Sequence, residues 1–116
     1  PPPCIVAGAD GTTQVDIEVQ QRAKEYAVEK ISASCVFMNV VGPAHACNAG
    51  LLEYLGVVLG LRLTQMSLLR GHKQTSRVLL AKGTDPSRAY AALRRAMETE
   101  RARAAKIASG QGDAAN

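Results

Sequence analysis

The sequence predicts a single α/β domain in which two main helices pack on a mixed sheet of about four strands. Three observations indicate this class. Apolar residues alternate before residue 20, a continuous apolar run follows residue 34, and two helix-length apolar patterns are separated by strand-like runs. The length of 116 residues suits one domain, and 47% hydrophobic with 21% charged residues is typical of a globular protein. We expect the domain to span 13–109, between an irregular Pro-rich arm over 1–12 and a flexible tail over 110–116.

The first half of the domain is predicted to contain two strands. Val15, Ile17 and Val19 alternate with polar residues, a pattern that predicts a strand with one buried face. Residues 21–30 are mostly charged or polar and predict a short connection or one or two helical turns. The apolar run over 35–41 predicts a second strand, covered on both sides or paired centrally.

A helix is predicted over 44–61, because leucines and valines recur there at helical spacing after a Gly-Pro break. Gly56 and Gly60 lie four residues apart and would share one face of it. We expect this face to pack tightly on the protein's own sheet, and a partner contact is the alternative.

The second half predicts two strands and a long helix. Residues 63–69 and 77–81 are strand-like and are separated by a polar loop of hairpin length. Asp85 can cap a helix whose first position suits Pro86, and the apolar spacing predicts that this helix runs to about Ala108.

The charge of the chain is unevenly distributed. The net charge is +4, but residues 1–60 carry −3 and residues 61–116 carry +7, mostly as arginine. Arginine favours paired contacts with phosphates or carboxylates. With no Trp, three Tyr and one Phe, the chain has few rings on which single-stranded bases could stack. Any binding to nucleic acid is therefore expected to be electrostatic.

Six arginine and lysine side chains are the candidate partner-binding residues. Around the polar loop they are Arg70, Lys73 and Arg77, and on one face of the last helix they are Arg88, Arg95 and Arg103. Such cations neutralise phosphates without reading bases. A solvated charged face is the alternative explanation of the same pattern.

Catalytic and metal-binding chemistry is not indicated. His45 and Cys47 could pair as base and nucleophile, but no third group is placed to orient the imidazole, so we expect Cys47 to be a small buried side chain. Asn48 is expected to cap or tie a loop rather than to contact a ligand, although an anion at this helix start is an alternative. The cysteines Cys4, Cys35 and Cys47 are odd in number and lack zinc spacing, which predicts neither disulfides nor a metal.

The remaining expectations concern the setting of the protein. No cofactor or small-molecule ligand is evident, and the longest apolar run, about 11 residues, is shorter than the roughly 20 that a membrane span needs. The cysteine pattern indicates an intracellular reducing compartment, either mitochondrion or cytoplasm. The opening Pro-Pro-Pro without Met predicts that the sequence starts either inside a longer precursor or after processing.

Two stretches resemble the YggU-like family, small conserved domains of unknown function. The stretch IEVQQRAK over 17–24 is similar to the strand-then-Pro-Gly-Ala-Lys opening of the family, with Gln21 in place of the Pro. The stretch CNAGLLEYL over 47–55 is similar to its Ala-Asn-x-x-Leu-Leu helix start, and Gly71 opens a loop like the family's Gly-x-x-Ser-Arg loop. The resemblance implies a mixed sheet of about four strands with two helices, and it implies no activity.

Taken together, these patterns predict a non-catalytic subunit associated with RNA or a ribonucleoprotein, such as a structural component of a ribosome or organellar complex. The alternative is an adaptor that docks on an acidic protein partner through the glycine-bearing helix or the last helix. An enzyme using His45 and Cys47 is a third, weaker interpretation.

Overall fold

The computed structural model describes residues 1–21 and 23–110 as a six-stranded mixed sheet with two α-helices, which confirms the predicted α/β class. The strands are β1 (Ile5–Ala7), β2 (Thr13–Gln21), β3 (Ala27–Ile31), β4 (Val36–Val40), β5 (Met66–Arg70) and β6 (Ser76–Ala81). The helices are α1 (Asn48–Leu59) and α2 (Pro86–Ala108), and short 3₁₀ turns cover Ala9–Gly11, Ala44–Ala46 and Leu63–Gln65.

The sheet is arranged around β2. Its order is β3-β4-β2-β6-β5, with β2 and β4 parallel and the other neighbours antiparallel. Strand β1 pairs antiparallel with the first part of β2, on the side that β4 takes up from Ile17 onward. One long strand thereby holds three partners in register.

The core lies between one face of the sheet and the two helices. The buried residues of β2 alternate along the strand as predicted, and they join the inward residues of β4 and of both helices in one cluster. Leu51 and Leu55 of α1 and Leu93 of α2 are fully buried in it. The opposite sheet face carries no helix and presents the polar side chains Asp16 and Glu18 of β2.

Two strands were missing from the sequence prediction. The arm was predicted to be irregular over 1–12, yet β1 forms there because Ile5 is buried beside Val15 of β2. The connection predicted over 21–30 contains most of β3, where a register shift between Val28 and Lys30 interrupts the alternation that would reveal a strand. The sheet therefore has six strands instead of about four.

Several element boundaries also differ. Helix α1 is shorter than the predicted 44–61, because residues 44–46 form a 3₁₀ turn and Gly60 ends the helix at a left-handed φ of 69°. Gly60 thus does not share a packing face with Gly56, where an added Cβ would meet the Leu61 carbonyl at 3.0 Å. The strand predicted over 63–69 begins at Met66 after a 3₁₀ turn.

Helix α2 begins as predicted. Asp85 precedes Pro86, and its carboxylate accepts a hydrogen bond from the backbone N–H of Arg88 at 2.8 Å. From residue 101 to 110 every residue is exposed, so the end of α2 lies outside the core. Of the predicted tail, residues 111–116 lie outside the described part of the chain.

Candidate functional site

Arg77 is buried, contrary to the prediction that it faces a partner together with Arg70 and Lys73. Only 4% of it is exposed. Its Nε donates to Asn48 Oδ1 at 2.8 Å, its Nη1 to the carbonyls of Gln74 and Ser76 at 2.7 and 2.9 Å, and its Nη2 to the Ala44 carbonyl at 2.7 Å. The guanidinium therefore ties β6 to the loop before α1.

The partners of this guanidinium are neutral. In residues 1–21 and 23–110, no acidic side chain lies within ion-pair distance of Arg77. A buried charge is tolerated when hydrogen bonds replace its hydration, and the carbonyls and the Asn48 amide do so here. Within the described residues, no direct ion pair therefore cancels the charge of Arg77, although Asp16 and Glu18 line the same cavity.

Asn48 takes the role of a loop tie, as expected, since its side-chain oxygen accepts from Arg77. Cys47 is fully buried, which confirms its predicted packing role, and its thiol donates to the Ala44 carbonyl at 3.3 Å. His45 is exposed on the preceding turn, and no hydrogen bond joins it to Cys47 in the described residues. This geometry offers no activated nucleophile.

The loop between β5 and β6 is anchored to β2. The Glu18 carboxylate accepts hydrogen bonds from the hydroxyls of Thr75 and Ser76, the latter at 3.1 Å. A cavity of about 280 Å³ lies beside the loop, and His72 and Lys73 contribute to its lining together with Asp16, Glu18, Cys35 and Arg77. Acidic and basic side chains thus share this cavity.

Exposed cations lie at both ends of the β5–β6 hairpin. Arg70 and Lys73 are exposed at the loop end, and Arg62 and Lys82 are exposed at the opposite end. The sequence from 61 to 84 contains no Asp or Glu. We call these four residues the hairpin cations.

The predicted arginine face of α2 is accompanied by acids. Arg88 lies 3.7 Å from Asp85, and Arg103 lies 2.9 Å from Glu100 and 3.4 Å from Glu25. The hydrogen bond and charge of Glu100 raise the pKa of the Arg103 guanidinium. The remaining member of the face, which is Arg95, is exposed in a groove that Glu25 and Glu100 also line. Part of the positive charge of α2 is therefore neutralised within the molecule.

Neither a metal cluster nor a membrane helix is found in the part of the chain that the structure describes. There, no three His, Cys, Asp or Glu side chains are grouped to hold a metal ion. Neither helix combines the length and the apolar character required to cross a bilayer.

No protein-family model matches the chain. The resemblance to the YggU-like family accordingly stays a prediction.

The sequence contains a signal for the burial of Arg77 that the charge-based reasoning overlooked. In a strand, residues two apart share a face. Arg77 therefore lies on the same face of β6 as Leu79 and Ala81, both of which are buried. A charged residue in register with buried apolar ones indicates a structural role rather than a surface contact.

Proposed function

We propose that the chain is a non-catalytic, RNA-associated subunit whose hairpin cations hold RNA phosphates. The observation that carries the proposal is the acid-free segment 61–84, which places exposed basic side chains at both ends of the β5–β6 hairpin. Fixed positive charge attracts the phosphate backbone and releases counterions, and it requires no aromatic platform. The three free cysteines fit a reducing compartment, and an assembly such as a ribosome in the mitochondrion or cytoplasm suits this role.

The hairpin is better suited to this role than helix α2. The hairpin cations take part in none of the ion pairs of the described chain, whereas Arg88, Arg94 and Arg103 each pair with a carboxylate. A phosphate that binds to α2 must displace a carboxylate from its ion pair, whereas a phosphate at the hairpin displaces none of the ion pairs in the described residues. Arg77 adds a further positive charge on the strand that carries the loop, in a cavity that Asp16 and Glu18 also line.

The hairpin also limits where a strand of RNA can lie. Its two cationic ends are separated by the length of β6, about 17 Å at roughly 3.3 Å per residue. The helix-free sheet face next to it carries Asp16 and Glu18 and would repel phosphates. We therefore expect the RNA to follow the outer side of the hairpin rather than to cross the sheet.

The test is a comparison of two variants with the same net charge. In the first, Arg70 and Lys73 are changed to Gln, and in the matched control, Arg88 and Arg94 are changed to Gln. Binding to a fluorescein-labelled 20-nucleotide RNA is measured by anisotropy between 50 and 200 mM salt. We expect the hairpin variant to lose roughly 10-fold in affinity and to show a shallower salt slope, while the control stays within about 2-fold of the wild type.

Two further results are expected if the hairpin cations bind RNA phosphates. The loss must be the same for RNAs of unrelated sequence, since phosphate contacts carry no sequence information. Binding by the wild type must weaken steeply with salt. Equal losses in the two variants, or a salt-insensitive complex, would contradict the proposal.

A further inference from the structure

The two edges of the sheet are protected very differently. Edge strands expose unpaired backbone groups, and proteins protect them with bulges, charges or covering elements. Strand β3 has all three: a register shift between Val28 and Lys30, the charged Glu29 and Lys30, and helix α2 packed against it. Arg101 Nη2 even donates to the Glu29 carbonyl at 3.3 Å.

Strand β5, at the other edge, has less protection, although helix α1 contacts it as well. It pairs with β6 without a register shift from Met66 to Arg70, and it contains no proline. Its sole charged residue is Arg70, at its end. Leu69, on the helix-free face, is 49% exposed.

The register identifies which backbone groups of β5 point outward. The Gly71 N–H donates to the Ser76 carbonyl at 2.8 Å, and the Lys82 N–H donates to the Gln65 carbonyl at 2.8 Å. Because bonded and non-bonded pairs alternate in an antiparallel ladder, residues 67 and 69 bond to β6. The N–H and C=O groups of residues 66, 68 and 70 therefore point away from the sheet.

The N–H of Met66 donates to the Leu63 carbonyl, but no hydrogen bond of the described chain uses the Met66 carbonyl or the outward groups of Leu68 and Arg70. They form a regular row of donors and acceptors over the length of a five-residue strand. Such a row is the template on which an extended peptide adds as a further strand.

We propose that β5 binds an extended peptide of a partner protein as a seventh strand, and that this peptide is apolar at its centre and acidic at both ends. Backbone bonds to the Met66 carbonyl and to the N–H and C=O groups of Leu68 and Arg70 supply the ladder. The hairpin cations flank that ladder on both sides, Arg62 and Lys82 at one end and Arg70 and Lys73 at the other. Acidic ends on the peptide complement both pairs of cations.

The same charges disfavour a second copy of this chain as the occupant. Two β5 strands could pair antiparallel with Leu68 opposite Leu68, and their outward groups would match in register. That pairing brings Arg70 and Lys73 of one copy toward Arg62 and Lys82 of the other, and symmetry repeats the repulsion at the second end. The hairpin cations therefore attract an acidic peptide and repel a second copy of the chain.

The experiment uses the full chain and a fluorescein-labelled nine-residue peptide with a Val-Thr-Val-Thr-Val centre and two acidic residues at each end. Amide hydrogen exchange followed by NMR is the main measurement. In the free protein we expect the amides of Ser67 and Leu69 to be protected and those of Leu68 and Arg70 to exchange faster. We expect the peptide to slow exchange at Leu68 and Arg70 by at least 10-fold and to leave Ser67 and Leu69 little changed.

Two control peptides test the backbone hydrogen bonds and the charges separately. A peptide methylated on the backbone nitrogens that face β5 should lose the binding, because it cannot donate to the ladder. A peptide with lysine ends should bind at least 10-fold more weakly than the acidic one. Both controls leave the protein unaltered, so they do not depend on the folding of a variant.

The variant Leu68→Pro separates this proposal from RNA binding. It removes an N–H that the internal ladder does not use, and proline is tolerated on edge strands. We expect it to abolish peptide binding and to leave the affinity for the 20-nucleotide RNA within about 2-fold. The proposal would be overturned if the Leu68 amide were protected without peptide, which would indicate a second copy, or if the RNA protected this amide. Equal binding of lysine-ended or methylated peptides would also overturn it.

Discussion

Replacing Arg77 with methionine tests whether the buried guanidinium holds the loop before α1 against the sheet. The change removes four hydrogen bonds at nearly constant side-chain length. The Ala44 carbonyl keeps the weak thiol donor of Cys47, and the Ser76 carbonyl keeps the N–H of Gly71. One bond from a charged donor contributes about 1.5–3 kcal/mol, and removal of the buried charge offsets part of the other losses. We therefore expect the free energy of unfolding to fall by about 3 kcal/mol.

Urea unfolding measures this loss directly. With a slope of about 1.5 kcal/mol per molar urea, the midpoint should fall by about 2 M. Arg70→Met is the matched control, because Arg70 lies directly opposite Arg77 in the β5–β6 register but is exposed. The control should change stability by no more than about 0.5 kcal/mol. The reasoning is refuted if the two variants are equally stable, or if Asn48→Ala shows no coupling with Arg77→Met in a double-mutant cycle.

Three further predictions concern stability. Gly71→Ala should lower the melting temperature by about 5–10 °C in calorimetry, because the added Cβ would lie 2.6 Å from Ser76 Cβ and 3.1 Å from its backbone carbon; an unchanged melting temperature would contradict this. Asp85→Ala should cost about 1 kcal/mol in urea unfolding through the lost cap of α2, and Asp85→Asn, which can still cap, should cost much less. Burial raises the pKa of the Cys4 thiol, so the folded state holds this proton more tightly than the unfolded chain. The contribution of this thiol to stability is fully present below its ordinary pKa of about 9 and falls as pH rises above it. As pH rises from 8 to 10.5, the free energy of unfolding of the wild type should therefore fall relative to that of Cys4→Ala, both measured in reducing buffer. A constant difference between the two proteins would argue against this.

The elements with strong local signals were predictable from the sequence. The apolar residues of β2 alternate because one face of the strand is buried, and the structure shows the same residues buried. The start of α2 was predictable because a capping carboxylate and a proline at the first helical position act within a few residues. Such signals do not depend on the rest of the fold.

The missed features depend on contacts that are distant in the chain. Strand β1 has three residues, and only their pairing with residues 13–15 of β2 makes it a strand. Strand β3 contains a register shift, so its pattern is not alternating. The four bonds of Arg77 reach from residue 44 to residue 76, and no local pattern states which acceptors will surround it.

The central position of β2 has a consequence for synthesis of the chain on the ribosome. Thr13 of β2 pairs with Ala81 of β6, so the partner on that side is made much later. At roughly 5–20 residues per second, β2 waits about 3–13 s for β6, while β1 and β4 are already available for its other side. A nascent chain that pauses before β6 presents β2 as an open edge with an apolar face. A translational pause that delays the emergence of β6 from the ribosome should therefore increase aggregation during expression more than the same pause after β6 has emerged.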